Sequence, residues 1–175
     1  MTEATQDPRQ IFNDLVQIGI VVADVDKSAR YLSEIFGIGP FRKIDFPPAD
    51  RPEVQRYYYG EPGDFTARLA FANAGPVELE LIQPVSGKSI WRDFLEQHGE
   101  GIHHIRFNVA DAGEASAYLA GKGIEPAQWG SGLRPGTTWK YFSTEHLIGF
   151  CIEIINRIPG TDGRTPVTED GKVRA

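Results

Sequence analysis

An internal repeat constrains the fold of this chain more than any other sequence feature. Segment Leu15–Asp24, read LVQIGIVVAD, matches segment Gly101–Asp111, read GIHHIRFNVAD, with an offset of 87 positions that aligns Gln17 with His104. Apolar residues alternate with other residues in both segments, which is typical of a strand with one buried face. A repeat in two copies indicates two similar units packed together, since a solenoid needs at least three repeats.

The last strands of the two copies also match. VELELIQP at Val77–Pro84 aligns with FCIEIINR at Phe150–Arg157, and Glu80 then lies 73 positions before Glu153. The offset is smaller here because the second copy lacks the proline-rich loop of the first. Each copy reads as one strand, one helix and three strands, and one such unit alone would leave an apolar sheet face exposed. We therefore predict an α+β fold of two tandem βαβββ modules that share one core.

The boundaries of the predicted segments follow composition and helix signals. Ser89 is placed to cap a short helix between the copies, and the chain after Pro159 has no apolar periodicity. The predicted order is a flexible N-terminal arm at 1–14, the first module at 15–84, a linker helix at 85–100, the second module at 101–157 and a flexible tail at 158–175.

Composition excludes several classes of protein. The chain has 175 residues, of which 41% are hydrophobic, and is expected to form one compact domain. The net charge of −6 and the scattered basic residues argue against a nucleic-acid partner. The polar first residues lack the features of a signal peptide, and no apolar run approaches the ~20 residues of a membrane span, so a cytoplasmic protein without a membrane partner is expected. Cys151 is the only cysteine, which rules out an intrachain disulfide and favours a buried structural thiol.

Strand alternation predicts that the matched strands each have one apolar face, which would meet the helices, and one polar face. The polar faces carry Gln17, Glu78, Glu80, His104, Arg106, Asn108, Cys151 and Glu153. Such faces could simply meet water, because one-sided burial is normal for antiparallel sheets. If the sheets curl, two residues from each copy converge in a cleft, namely Gln17, Glu80, His104 and Glu153.

An imidazole, two carboxylates and an amide oxygen form a reasonable site for a divalent metal ion such as Zn, Ni, Co, Mn or Fe. Two carboxylates close together repel each other unless one takes up a proton, and a bound cation removes that conflict. Taken singly, a histidine on a strand is more often a hydrogen-bonded structural residue, and a glutamate there is more often solvated. The repeat-equivalent positions of the four residues on the same face favour the metal site.

The repeat and these residues together carry a resemblance to a known family. Over about Leu15–Asn156, the motifs QIGIVVADVDKSARYL, VELELIQP, GIHHIRFNVAD and GFCIEII resemble the vicinal oxygen chelate superfamily, which includes glyoxalase I, methylmalonyl-CoA epimerase, extradiol dioxygenases and the bleomycin-resistance proteins. The epimerase branch is the most similar, on ELELIQP, the HHI strand and a linker with Trp91 and Phe94. The resemblance implies mixed sheets that curl around a shared metal-binding cleft.

The family's four metal positions correspond here to Gln17, Glu80, His104 and Glu153. Gln17 departs from the pattern, since that place is commonly histidine and an amide oxygen is a weaker ligand. The resemblance implies that a substrate with two neighbouring oxygens chelates the metal, which acts as a Lewis acid while Glu153 moves a proton at the adjacent carbon. A second catalytic acid would fall near Asp64, for which an ordinary turn aspartate is the alternative interpretation.

Four further residues are candidates for substrate contacts. Arg106 is expected to pair with a substrate carboxylate or phosphate, and a structural ion pair with a neighbouring glutamate is the alternative. Asn108 lies on the same face of the strand. Trp139 and Tyr141 share a face of their own strand and are predicted either to wall the pocket or to pack in the core.

The other three histidines are interpreted as structural residues. Strand alternation predicts that the side chain of His103 points to the opposite face of the strand from His104. His98 and His146 are also interpreted as structural residues.

The expected function is that of a metal-dependent isomerase or epimerase, which removes a proton next to a carbonyl in a small-molecule substrate. A homodimer is expected because dimers are common in similar proteins. A glyoxalase-type lyase or an extradiol-type dioxygenase on the same scaffold is one alternative, although the extradiol type needs two histidines and one glutamate. Another alternative is a metal-free protein that binds a small ligand, like the resistance proteins.

Overall fold

The computed structural model describes residues 7–161 and 163–173. In order along the chain these residues form α1 (Pro8–Ile11), β1 (Leu15–Val21), α2 (Val25–Phe36), β2 (Arg42–Phe46), β3 (Arg56–Tyr58), β4 (Glu61–Pro62), β5 (Thr66–Ala74), β6 (Val77–Ser86), α3 (Ile90–His98), β7 (Gly101–Val109), α4 (Ala112–Ala120), β8 (Pro126–Ser131), β9 (Thr138–Phe142), α5 (Glu145–Ile148) and β10 (Cys151–Asn156). The carboxylates of Asp24 and Asp111, equivalent in the repeat, accept hydrogen bonds from the first-turn amides of α2 and α4, and Ser89 caps α3. No helix within the described ranges has the length and apolar character needed to cross a bilayer.

The strands join one mixed sheet in the order β2-β5-β6-β1-β7-β10-β9-β8-β3-β4. Each copy of the repeat supplies four consecutive strands, β2-β5-β6-β1 and β7-β10-β9-β8, and the first and last strands of each copy run parallel to each other. The antiparallel pair β1 and β7 joins the two copies at the centre. The predicted α+β fold of two βαβββ modules is therefore confirmed, and the two modules share a single sheet.

The sheet curls so strongly that its two halves face each other. Phe46 of β2 and Trp139 of β9 belong to strands six positions apart in the sheet order, a separation of about 29 Å in a flat sheet. Their ring centroids are instead 6.0 Å apart. The hairpin β3–β4 of the first copy adds to this closure, because it pairs with β8 of the second copy and stacks Tyr57 on Trp129. The polar faces of the central strands therefore line the inside of the curl.

The two ends of the described chain differ from the predicted flexible arm and flexible tail. Ile11 at the end of α1 is buried, and Phe12 packs against two aromatic rings of the second module. At the other end, Val167 is buried in the main core and pairs in an isolated bridge with Val173. Both segments are largely polar, but the burial of one or two apolar side chains is enough to hold such a segment against the rest of the protein. Residues 1–6 of the predicted arm and 162, 174 and 175 of the predicted tail lie outside the described residues.

Candidate metal centre and substrate cleft

Three of the four side chains predicted to bind a metal meet at the centre of the curled sheet. Glu80 on β6, His104 on β7 and Glu153 on β10 each offer one ligand atom, and these atoms all lie within 4.8 Å of one another. Nε2 of His104 is 3.2 Å from Oε2 of Glu153 and 3.4 Å from Oε2 of Glu80. All three residues are buried. Because β6 and β10 flank the β1–β7 pair, each module contributes one carboxylate to the centre.

Gly19, in the middle of β1, makes room for the imidazole. It pairs with Glu80 on one side and with His104 on the other. A Cβ atom built on Gly19 would lie 1.7 Å from Cε1 of His104, so the ring occupies the space into which any other residue would place its side chain. Gly19 has no role in the sequence-based predictions, although a glycine inside a strand is a signal that another group approaches closely.

A β-bulge in β7 turns His103 to the same side as His104. Gly19 pairs with His104, whereas the next residue, Ile20, pairs with Ile102, so His103 is the extra residue of the ladder. The Nδ1 atoms of the two histidines are 3.2 Å apart. The prediction that His103 points away from His104 is therefore wrong, because side chains alternate between faces only where strand pairing is regular.

Glu80, His104 and Glu153 are called the triad below. Gln17 belongs to a separate polar network beside it. Its Nε2 donates hydrogen bonds to Oε1 of Glu78 at 2.9 Å and to Oγ1 of Thr165 at 3.3 Å. Glu78 is fully buried and also accepts a hydrogen bond from Nη2 of Arg42 at 2.6 Å. The amide nitrogen of Gln17 thus helps to stabilise a buried carboxylate, and its Oε1 has no hydrogen-bond partner among the described residues. A role for Gln17 as a fourth metal ligand stays a prediction.

The chemistry of the triad fits a divalent cation. Nε2 of His104 and Oε2 of Glu153 are buried atoms without a hydrogen-bond partner in the described part of the chain. Buried polar atoms are rarely left in this state, and two neighbouring carboxylates also repel each other. An imidazole nitrogen and carboxylate oxygens are common ligands of Zn, Mn, Fe, Co and Ni. A cation between the three side chains would satisfy these atoms and offset the repulsion.

The two nearby carboxylates also set the charge of His104 in the metal-free protein. Burial lowers the pKa of His104, but the carboxylates of Glu153 and Glu80 more than offset burial and raise the pKa to about 9. Burial also raises the pKa of Glu80, and the charge of Glu153 acts in the same direction. Near neutral pH the metal-free centre therefore holds a proton on His104.

Binding of Zn²⁺ is expected to release about one proton per ion near pH 7, because a histidine must be neutral to ligate a metal. The affinity should rise with pH up to about 9 and level off above it, since His104 is then already deprotonated. Titration calorimetry in two buffers of different ionisation enthalpy measures the released proton. An affinity that does not change between neutral pH and pH 9 would show that His104 is not a ligand.

An aromatic cleft opens beside the triad. Its apolar wall includes Phe46, Leu69, Phe71, Trp91, Leu133, Trp139 and Tyr141. Trp139 and Tyr141, predicted either to wall the pocket or to pack in the core, belong to the main core and also lie in this lining. The indole N–H of Trp139 donates to the carbonyl of Ser131 at 2.8 Å. Burial raises the pKa of Tyr141 well above its usual range, so its hydroxyl stays protonated. The cleft can therefore take the apolar portion of a small molecule next to a polar centre.

The C-terminal segment, residues 163–173, covers part of the cleft and binds two of the predicted substrate-binding residues. Nη2 of Arg106 and Nδ2 of Asn108 both donate to the carbonyl of Gly163, each at 3.1 Å. The hydroxyl of Thr165 donates to Oε1 of Glu78 at 2.6 Å and accepts from Nη1 of Arg106 at 3.3 Å. Arg106 also lies 4.0 Å from Glu78, so its contacts agree with the structural interpretation of this residue. Both Arg106 and Asn108 still line the cleft.

Asp64, the predicted second acid, does not reach the triad. Its side chain is exposed and is not part of the cleft lining. It lies instead beside Gly87 at the start of the linker, where a Cβ added to Gly87 would be 2.8 Å from Oδ1 of Asp64. The side chains of β5 that line the cleft are Leu69 and Phe71. Asp64 therefore matches the alternative interpretation of a turn aspartate, because the turn before β5 directs its side chain away from the cleft.

Comparison with known families agrees with this geometry. Residues 16–141 match the sequence profile of the Glyoxalase/Bleomycin resistance protein/Dioxygenase superfamily. Because the match covers well over half of the sequence, the chain belongs to this superfamily. The resemblance inferred from the repeat and its motifs is confirmed.

Individual proteins show the same relationship. The chain is 32% identical over 95 residues to the uncharacterized protein YqjC of Bacillus subtilis (strain 168), and this match covers 54% of the chain but only 56% of YqjC. The hypothetical protein BH1468 from Bacillus halodurans C-125 has a similar structure, with a TM-score of 0.62, 21% identity and coverage of 85% of this chain and 96% of that one. Methylmalonyl-CoA epimerase from Mycobacterium tuberculosis has a TM-score of 0.60 at 18% identity, with coverage of 90% and 97%. At these identities the similarity to solved structures shows the fold alone.

Proposed function

We propose that the chain is a metal-dependent enzyme of the isomerase or epimerase type, which removes a proton from a carbon next to a carbonyl in a small α-oxygenated substrate. The observation that carries this proposal is the buried triad of Glu80, His104 and Glu153, whose unsatisfied ligand atoms adjoin an aromatic cleft. Membership of the superfamily and the fold shared with methylmalonyl-CoA epimerases support an enzyme role.

The residues of the cleft have distinct parts in the proposed reaction. A divalent ion, when bound at the triad, supplies Lewis-acid polarisation of the substrate carbonyl. Glu153 is the group that moves the proton, because it lines the cleft and its Oε2, which lies 3.2 Å from Nε2 of His104, accepts no hydrogen bond from the described residues. Glu80 lines the same cleft from the other module and is the second carboxylate available for proton transfer, in place of Asp64. The protonated hydroxyl of Tyr141 is suited to donate to a substrate oxygen on which charge develops.

Replacing Glu153 with glutamine is expected to lower the Zn²⁺ affinity at least about 10-fold and to abolish proton abstraction. The amide is a weaker ligand than the carboxylate, and it cannot accept the substrate proton. Two measurements check this result: elemental analysis of protein purified without chelator, and deuterium incorporation from D₂O into α-oxo acids and acyl-CoA esters. The control is Glu125→Gln, which changes an exposed carboxylate and should alter neither quantity. If Glu153→Gln keeps both metal and exchange, Glu153 is not the base.

The same measurements separate the other reactions of the superfamily. A protein that purifies without metal and binds small apolar molecules would instead be a binding protein of the resistance type. A metal-loaded protein without deuterium exchange would point to a reaction other than proton abstraction. The extradiol type has the least support, because the triad contains one histidine and two glutamates.

A further inference from the structure

His103 is a buried side chain to which the proposed reaction gives no role. It is 1% exposed, and the rings of Phe94 and Tyr141 enclose it with centroid distances of 5.2 Å and 5.8 Å. A neutral imidazole has one nitrogen that donates a hydrogen bond and one that accepts.

The surroundings of His104 determine which of its nitrogens carries a proton. Nε2 faces the carboxylates of Glu80 and Glu153, so a neutral His104 that presents a lone pair to a cation there must carry its proton on Nδ1. Nδ1 of His104 is 3.2 Å from Nδ1 of His103. With that tautomer, His104 is the donor and His103 the acceptor in this contact, and the proton of His103 is then on its own Nε2.

The contacts of Nε2, on the other side of the His103 ring, are compatible with this assignment of donor and acceptor. Nε2 of His103 lies 3.9 Å from Sγ of Cys151, and the thiol of Cys151 donates to Oε1 of Glu145 at 2.9 Å. The lone pairs of the sulfur are therefore free to face the N–H of His103. These contacts form a chain of donors and acceptors that runs from His104 through His103 and Cys151 to the exposed Glu145.

We propose that His103 is a positioning residue that accepts a hydrogen bond from Nδ1 of His104 and thereby selects Nε2 of His104 as the metal-binding nitrogen. The inference rests on the proposed metal binding at the triad. The bulge in β7 is what makes it possible, because a regular strand would place the two rings on opposite faces of the sheet. Partners that orient a ligating histidine typically contribute about 10- to 100-fold to metal affinity.

Two substitutions separate hydrogen bonding from packing. His103→Leu keeps much of the side-chain volume but removes the acceptor, whereas Oδ1 of the asparagine in His103→Asn can accept from Nδ1 of His104. Competition with a chelator should show a Zn²⁺ affinity about 10- to 100-fold lower for His103→Leu and an affinity within about 3-fold of the original for His103→Asn. Thermal denaturation of both variants without metal reports the loss of packing separately.

The tautomer of His104 is a readout that a purely structural role would not change. Long-range ¹H–¹⁵N correlation spectra of the Zn²⁺-loaded protein should show a protonated Nδ1 and a metal-shifted Nε2 in the original chain and in His103→Asn. His103→Leu should lose the hydrogen-bonded signature of that Nδ1 proton. If His103→Leu keeps both the affinity and the signature, the role of His103 is overturned while the metal site stands. If the original chain binds no Zn²⁺, the proposed function fails, and the role of His103 fails with it.

Discussion

Replacing Gly19 with alanine is expected to abolish metal binding at the triad while the fold persists. The new Cβ would lie 1.7 Å from Cε1 and 2.2 Å from Nδ1 of His104, which is far inside van der Waals contact. Because the imidazole is the end of a side chain, the ring can rotate away more readily than β1 and β7 can separate. The Zn²⁺ affinity should fall at least about 100-fold, and the free energy of unfolding without metal should fall by about 1–3 kcal/mol. Chelator competition and urea denaturation measure the two quantities.

Gly101→Ala is the matched control for this experiment. Gly101 begins β7, in the strand that carries His104, and a Cβ built there meets Phe94 at an ordinary contact distance of 3.8 Å. The control should therefore keep the Zn²⁺ affinity of the original chain. Normal affinity in Gly19→Ala would show that the metal does not bind at the position of the His104 ring seen here.

Ending the chain after Pro159 is expected to lower the free energy of unfolding by about 3–6 kcal/mol. The truncation removes Val167 from the core and takes the hydroxyl of Thr165 away from the buried carboxylate of Glu78. It also leaves Arg106 and Asn108 without the carbonyl of Gly163. Urea denaturation of the metal-free protein measures the difference. A truncated chain as stable as the full one would show that the C-terminal segment does not cover the cleft in solution.

Two point substitutions test the main polar contact of the C-terminal segment while the segment itself is kept. Thr165→Val keeps the shape of the side chain but removes a hydrogen bond to the buried carboxylate of Glu78, which should cost about 1–3 kcal/mol. Thr168 makes its hydroxyl hydrogen bonds within the segment, to Asp170 and to the carbonyl of Lys172. Thr168→Val is therefore the control and should cost less than about 1 kcal/mol. Equal effects of the two substitutions would contradict the contact between Thr165 and Glu78.

Alignment of the two copies of the repeat predicted the three members of the triad, because it compares residues at equivalent positions of equivalent strands. Glu80 and Glu153 occupy matched last strands, and His104 lies on a matched first strand. Their convergence then follows from the pairing of the strands. Asp64 was misplaced because it lies in a turn, where no periodicity fixes the direction of a side chain. His103 was misplaced because a bulge has no signature in the alternation of residues.

The C-terminal segment shows a different limit of inference from sequence. Its residues are polar and have no periodicity, so local patterns predict no packed structure for them. Its position depends on groups that are remote in the chain, chiefly Glu78 and Arg106. These groups lie together only after the sheet has curled, and they then present buried charges and donors that the segment satisfies.

By itself the sequence determined the duplicated α+β fold, the superfamily and the side chains able to ligate a cation, because these depend on periodicity and on equivalent positions. Only the tertiary structure decided that Gly19 accommodates the imidazole, that His103 contacts His104 and that the C-terminal segment covers the cleft. The physical reason is that each of these features depends on the pairing register of strands or on contacts between distant segments, and neither is encoded in a local pattern of residues.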